Sequence, residues 1–139
     1  MAGIVESVGP DVTRFRPGQH VFGETVTGLQ WANGGAFADY VSVPQEQLAL
    51  KPEGITFEQA ASVPSSGLIA LQNLRDYSRL QPGRRVLING AAGGVGSLAL
   101  QIVKAEGAHV TAVDVTSKIG MLRALGADKV IDGAREDFT

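Results

Sequence analysis

The sequence has no cysteine among its 139 residues, and it has only two histidines. The missing thiols exclude disulfides, thiolate catalysis and zinc sites that use cysteine ligands. His20 and His109 each lie on or beside a predicted strand, with no second imidazole or carboxylate at the spacing of a metal site. We therefore expect no bound metal, and we interpret both histidines as solvated or edge residues.

Clustered positive charge is also lacking. The chain has 12 Lys and Arg against 14 Asp and Glu, which gives a formal net charge of -2 without a basic run. Nucleic-acid backbones are bound by clustered lysines and arginines. Nucleic acid is therefore not an expected partner.

Long apolar runs are missing as well. No stretch approaches the ~20 residues that a helix needs to span a bilayer. The first nine residues lack the basic start and the apolar segment of a secretory signal. We therefore expect no membrane partner and a cytoplasmic location.

Residues 1–55 have the punctuation of β-structure. Glycines and prolines separate short apolar stretches at Ile4–Val8, Val21–Phe22 and Leu48–Leu50. Phe37–Val43 roughly alternates apolar and polar residues, as a half-buried strand does. This density of breaks predicts a small antiparallel barrel or sandwich.

Helical signals begin at Thr56. Thr56 and Gln59 have the spacing of a capping box, which predicts the start of a short helix. Pro64 should end that helix, because a proline disfavours helical geometry in the residue before it. A second helix is predicted from Ser65 or Ser66, with Leu68, Leu71 and Leu74 along one face.

The remainder of the chain alternates strands and helices, which predicts a parallel β-α-β-α-β unit with right-handed crossovers. The predicted strands are Val86–Ile88, thought to be buried on both faces, Val110–Val113, and one that begins at Val130–Ile131. The first helix should bury Val95, Leu98, Ala99, Ile102 and Val103, and should end at Gly107. The second should be capped by Thr116 or Ser117, carry Met121, Leu122 and Leu125, and end at Gly126.

A glycine-rich turn joins the first of these strands to its helix. Gly90, Gly93 and Gly96 form G-x-x-G-x-x-G, a close variant of the dinucleotide-binding fingerprint. Free amides and the positive end of a helix dipole favour a pyrophosphate there, and glycine lets the phosphates approach the backbone. The alternative is an ordinary strand–helix turn. The candidate phosphate-binding residues are Gly90, Ala91, Ala92, Gly93, Gly94, Val95 and Gly96.

Asp114 follows the second strand, 18 residues after Gly96. A carboxylate in this place can accept both ribose hydroxyls of NAD and would repel the additional phosphate of NADP. Ser117 and Lys118, which follow Thr116, could instead bind that phosphate. The alternative for Asp114 is a role in capping the next helix. These residues alone leave the choice between NAD and NADP open.

Several segments resemble the medium-chain dehydrogenase/reductase superfamily. The segments that carry the resemblance are Gly3–Gly9, Phe15–Gly18, Val21–Gly23, Phe37–Val41, Asn89–Gly96 and Leu125–Asp132. They follow the family's order and cover nearly the whole chain, and they are most similar to the zinc-independent quinone oxidoreductase branch. Zinc-containing relatives carry a cysteine-rich lobe where this chain has the short segment 24–36.

The resemblance implies an α/β fold with a partial GroES-like β domain over residues 1–55. Residues 56–139 would be connecting helices and the first half of a Rossmann domain. It also implies hydride transfer from NAD(P)H to a quinone, an enone or another carbonyl compound, with NADP(H) slightly favoured, and a homodimer in the full-length form. No catalytic residue can be named.

One position departs from the resemblance near the nicotinamide. Ile69 stands where many relatives have a threonine. Ser65 and Ser66 lie close by and could supply the hydroxyl, whereas helix capping is their alternative role.

The resemblance further implies that the chain is a central piece of a longer protein. The second mononucleotide half would be absent, and the first Rossmann strand would become an exposed edge. We therefore expect weak binding of the adenine half of the cofactor and poor or no catalysis by the isolated chain. The alternative function is a non-catalytic nucleotide-binding module, such as a truncated remnant of such an enzyme.

Overall fold

The computed structural model describes residues 1–25, 35–78 and 80–138. The chain divides into two compact units, Met1–Ser65 and Ser66–Thr139. The domain boundary at residue 55 stays a prediction. Part of the short segment 24–36 lies outside the described residues. No helix within the described ranges is long and apolar enough to cross a membrane.

The first unit is built on a three-stranded antiparallel sheet. Its strands are β1 (Ala2–Ile4), β2 (His20–Gly23) and β3 (Leu48–Leu50), in the order β1-β2-β3. Gly3 pairs with Val21, and Val21 pairs with Leu50. A helix, α1 (Phe57–Ser62), packs on β1 and β2. Phe15, Val21 and Ala60 of this unit are buried.

One strand expected in this unit is absent from its sheet. Phe37–Val43 forms bends and extended chain and pairs with no strand of the described residues, so that prediction is wrong. Phe37 and Tyr40 are exposed. Alternation specifies only which face would be buried, whereas a strand also needs a neighbour for its backbone hydrogen bonds.

The helices that connect the two halves begin as their residue types require. Thr56 Oγ1 accepts a hydrogen bond from the Gln59 amide at 3.2 Å, and Gln59 Oε1 accepts one from the Thr56 amide at 2.9 Å. The capping box is therefore confirmed. The helix α2 (Pro64–Gln72) begins at Pro64 itself, where a missing amide hydrogen costs nothing.

The predicted leucine face of α2 is wrong. Leu68 and Leu71 are exposed, and Leu74 is buried in the short π-helical turn Asn73–Tyr77 that continues α2. Leu68 and Leu71 lie in the regular part of α2, whereas the π turn changes the helical period before Leu74, so Leu74 does not share their face.

The second unit is the predicted parallel β-α-β-α-β arrangement. Its strands are β4 (Arg85–Asn89), β5 (His109–Asp114) and β6 (Lys129–Asp132), in the order β4-β5-β6. The helices α3 (Gly94–Ala105) and α4 (Ile119–Ala124) connect them. Gly107 and Gly126 have positive φ and end their helices as expected. The core is formed by Leu74, Ala91, Leu100, Val103, Ala108, Val110, Ala112 and Leu122.

Burial within this unit differs from the expected pattern at β4 and α3. The strand β4 lies at the sheet edge, and Leu87 is 51% exposed, so β4 is not buried on both faces. In α3, Leu100 is completely buried whereas Val95 is exposed. The buried face runs through Gly96, Leu100 and Val103. Val103 is thus confirmed, and Ala99 and Ile102 pack on the core as predicted, whereas Leu100 was not in the predicted stripe.

The start of the last helix was also predicted wrongly. Thr116–Lys118 forms a 3-10 turn before α4, and no side chain caps α4. The Thr116 hydroxyl instead donates to Asp132 Oδ2 at 2.6 Å. Met121 is exposed, whereas Leu122 is completely buried.

Asp128, just before β6, forms hydrogen bonds to α3 and to the start of β5. Its carboxylate accepts hydrogen bonds from Lys104 Nζ at 2.8 Å and from the Val110 amide at 2.7 Å. The Lys104 ammonium, followed by the Val110 amide, lowers the pKa of Asp128 from 3.8 to about 2. A carboxylate with a depressed folded-state pKa stabilises the fold above its unfolded pKa, and this contribution is lost as the pH falls.

We expect the melting temperature to fall between about pH 4 and pH 2, partly because Asp128 becomes protonated there. Asp128→Asn should melt lower than the wild type at pH 7 and should lose less of its melting temperature over that acid range. Circular dichroism melts at a series of pH values measure both slopes. Parallel slopes for the two proteins would contradict this account.

Candidate functional site: the glycine turn and the end of the second parallel strand

The glycine turn lies at the carboxyl end of β4. Gly90 has a φ of 71°, a conformation that glycine adopts without steric cost. The amides of Gly90 and Ala91 both donate to the Val113 carbonyl, at 3.0 and 3.1 Å. The turn is therefore held against β5 before the chain enters α3.

Gly96 allows α3 to pack directly on this turn. A Cβ at Gly96 would overlap the Gly90 carbonyl oxygen and lie 2.8 Å from Ala91 Cα. Both obstacles are backbone atoms, which cannot move aside as a flexible side chain would. The absence of a side chain at Gly96 therefore sets the distance between the helix and the turn.

The amino end of α3 is left open to an anion. Its N-cap residue, Gly93, has no side chain to accept from the first helical amides. The amides of Gly94, Val95 and Gly96 have no acceptor within the part of the chain that the structure describes. Unpaired amides at the positive end of a helix dipole form an anion-binding site.

Asp114 ends β5 directly beside the turn. Its Oδ2 accepts from the Ala92 amide at 2.9 Å, and its Oδ1 accepts from the Val115 amide at 2.8 Å. The Ala92 amide, then the Val115 amide and the Lys118 charge lower the pKa of Asp114. The carboxylate is therefore ionised at neutral pH.

The segment after β5 is fixed from the neighbouring strand. Thr116 donates to Asp132, which also accepts from the Ala134 amide at 3.1 Å. Asp132 is the partner of Asp114 in the parallel register. Ser117 and Lys118 are exposed, and their side chains make no hydrogen bond within the described residues.

The structure brings one of the two serines of α2 to the turn. A Cβ at Gly94 would lie 3.1 Å from Ser66 Oγ, whereas Ser65 is exposed. Ile69 is also exposed. A role for Ser66 near the nicotinamide stays a prediction.

The histidines have different surroundings. His20 packs its ring against Phe57, with 4.9 Å between ring centroids. His109 Nδ1 lies 3.7 Å from Asp128 Oδ1, so an acid does stand beside one histidine, contrary to the expectation from spacing. Within the described residues, no group of three or more His, Cys, Asp or Glu is placed to hold a metal ion.

Two contacts at this site were missed from the sequence. Nothing in the spacing indicated that the Ala92 amide would donate to Asp114, or that Asp132 would accept from Thr116. Asp132 could have been found by the argument that selected Asp114, because it also ends a predicted parallel strand. The Ala92 contact joins residues 22 positions apart and has no local signal.

Residues 1–53 match the family described as the alcohol dehydrogenase GroES-like domain. The chain is 39% identical over 136 residues to the mitochondrial NAD(P)H oxidoreductase RTN4IP1 of Mus musculus. The aligned part covers 95% of this chain and 33% of that protein.

Solved structures show the same fold. An alcohol dehydrogenase superfamily protein from Novosphingobium aromaticivorans has a TM-score of 0.88 and 41% identity, covering 97% of this chain and 40% of that one. Escherichia coli quinone oxidoreductase, crystallised with NADPH, has a TM-score of 0.81 and 34% identity, covering 98% and 40%. The chain therefore spans about a third of the length of the RTN4IP1 relative and two fifths of these structures.

Proposed function

Because the chain belongs to the medium-chain dehydrogenase/reductase superfamily, we propose that it is part of an oxidoreductase that reduces a quinone, an enone or another carbonyl compound without zinc. Its α/β fold combines a partial GroES-like β domain with a partial Rossmann domain. Relatives in this superfamily are NAD(P)H-dependent oxidoreductases. The substrate class and the independence from zinc are proposals for the whole protein.

The observation that carries the proposal is the open amino end of α3 beside a turn without side-chain obstruction. The amides of Gly94, Val95 and Gly96 would donate to the cofactor's pyrophosphate. Gly90 and Gly93 keep the backbone accessible, and no described side chain caps this end of the helix. Open amides and an uncapped helix end are the features that a pyrophosphate needs, and they support this proposal.

The adenosine ribose would then lie beside the end of β5. Asp114, Ser117 and Lys118 flank this position, and Ala91 and Ala92 complete the turn. When bound, the nicotinamide supplies the hydride, and the chain contributes binding and orientation. The Lys118 ammonium supports the slight preference for NADP(H), because it can form a charge-assisted hydrogen bond to the 2′-phosphate.

An activity assay tests this function on the longest natural protein that contains the chain. We expect NADPH oxidation at 340 nm to depend on an added 1,4-naphthoquinone or 3-buten-2-one, and to persist after treatment with a chelator. Loss of activity on chelation would contradict the zinc-independent proposal. Saturable nucleotide binding without oxidation of NADPH or NADH by either substrate would favour the non-catalytic nucleotide-binding module.

The location and assembly of the protein complete the proposal. We propose a cytoplasmic enzyme that forms a homodimer in its full-length form. The family resemblance of the GroES-like and Rossmann segments supports the homodimer, whereas the cytoplasmic location rests on the sequence features alone. Sedimentation analysis of the full-length protein should give twice the monomer mass.

A further inference from the structure

The carboxylate of Asp114 is turned toward the backbone of its own unit. One oxygen accepts from the Ala92 amide in the glycine turn, and the other accepts from the Val115 amide after β5. An aspartate that selects NAD uses both oxygens to accept the two ribose hydroxyls. Here each oxygen accepts one backbone hydrogen bond, and the two contacts fix the direction in which the carboxylate faces.

The contact with Ala92 is part of the phosphate site. Ala92 lies two residues before Gly94, the first residue of α3, whose amide is open to an anion. Asp114 and the Val113 carbonyl are the acceptors through which the turn is bonded to β5. A hydrogen bond to an ionised acceptor is stronger than one to a neutral acceptor.

The charge of Asp114 is also partly compensated. The Ala92 and Val115 amides and the nearby Lys118 ammonium stabilise the negative charge of the carboxylate and lower its pKa. Thr116 is occupied by Asp132, whereas the exposed side chains of Ser117 and Lys118 make no hydrogen bond within the described part of the chain. Of the three residues that follow Val115, Ser117 and Lys118 are therefore available to a 2′-phosphate.

We propose that Asp114 is a positioning residue that holds the glycine turn for the pyrophosphate and does not select between NADPH and NADH, a choice that the proposed function already gives to Ser117 and Lys118. This inference rests on the proposed dinucleotide site. From the sequence, Asp114 was expected to favour NAD over NADP. A residue that positions the turn acts instead on the pyrophosphate, which NADH and NADPH have in common. Weakening the turn must therefore weaken both cofactors alike.

Calorimetric titrations with NADH and NADPH test the two roles on the same purified protein. Asp114→Ala should weaken both nucleotides by about tenfold, as expected for one lost charge-assisted contact, and leave their affinity ratio within about twofold. Asp114→Asn, which keeps one acceptor oxygen, should fall between the wild type and Asp114→Ala. Lys118→Ala should weaken NADPH by about tenfold and leave NADH unchanged.

Asp128→Asn is the matched control. Asp128 is likewise a carboxylate that accepts from a backbone amide, here that of Val110, which lies at the opposite end of β5 from Asp114. It should lower the melting temperature and leave both nucleotide affinities unchanged. Equal losses of affinity in Asp128→Asn and Asp114→Ala would mean that general loosening of the unit, rather than positioning of the turn, is responsible.

The outcomes separate the inference from the proposed function. If the wild type binds neither nucleotide, the proposed function and the inference both fail. If it binds, but Asp114→Ala loses NADH alone, Asp114 selects the ribose and only the inference fails. Hydrogen exchange on the wild type gives a reading that needs no variant. The Ala92 amide should be protected without nucleotide, and exchange at the rate of an open amide would overturn the inference.

Discussion

Gly96→Ala is expected to lower the free energy of unfolding by about 3 kcal/mol, at the upper end of the usual cost of overpacking. The new methyl group would overlap the Gly90 carbonyl oxygen and press on the Ala91 backbone, so α3 must move away from β4. That displacement also moves the open amides at the start of α3. Urea unfolding of the purified chain measures the first effect, and nucleotide titration measures the second.

The matched control for this change is Gly120→Ala. Gly120 lies in α4 and an added Cβ meets nothing within 4 Å, so the free energy of unfolding should stay the same or rise by about 1 kcal/mol through helix propensity. Equal stability of the Gly96→Ala and wild-type chains would show that α3 can move at little cost. The close approach of helix and turn would then lose its structural basis.

Leu100→Ala should produce a loss of similar size from the core. Leu100 is completely buried on the inner face of α3, within the cluster that includes Val103, Val110 and Leu122. Removing a fully buried leucine side chain costs about 3 kcal/mol. The melting temperature should fall by roughly 10–20 °C.

The same substitution at an exposed position separates the cavity from the chemistry. Leu68 is exposed on α2, so Leu68→Ala should change the melting temperature of the chain by only a few degrees. Calorimetric melts of the two variants and the wild type make the comparison. Similar losses in both variants would contradict the assignment of the buried face of α3.

Locally determined features could be predicted from the sequence. The capping box of Thr56 and the glycine ends of α3 and α4 depend on residues within one turn of the chain. The alternation of strands and helices after residue 85 also appears in the local pattern of apolar residues and glycines, and it indicated the parallel sheet. Each signal depends on short-range sterics or hydrogen bonding, so the sequence contains it.

Features that depend on distant neighbours could not be predicted in this way. Phe37–Val43 has the alternation of a strand but forms no strand, and none of the described strands pairs with it. Leu100 is completely buried although it lies outside the predicted stripe of α3, whereas Val95, within that stripe, is exposed. Periodicity specifies an apolar stripe to within about one residue, and packing decides the rest.

The candidate site shows the same division. The position of Asp114 at the end of β5 follows from the length of the strand, and it was predicted. Its donors, the amides of Ala92 and Val115, depend on how the turn folds back on β5. The carboxylate's location could therefore be predicted, whereas the direction in which it faces could not.

A titration of the isotopically labelled protein with NADPH, followed by two-dimensional amide NMR, tests the central claim most directly. The account predicts saturable shifts at the amides of Gly94, Val95 and Gly96, with smaller shifts at Ser117 and Lys118. NADH should shift the first three amides in the same way. If these amides stay unchanged while the folded spectrum persists, or if shifts appear only elsewhere, the glycine turn is not a dinucleotide site.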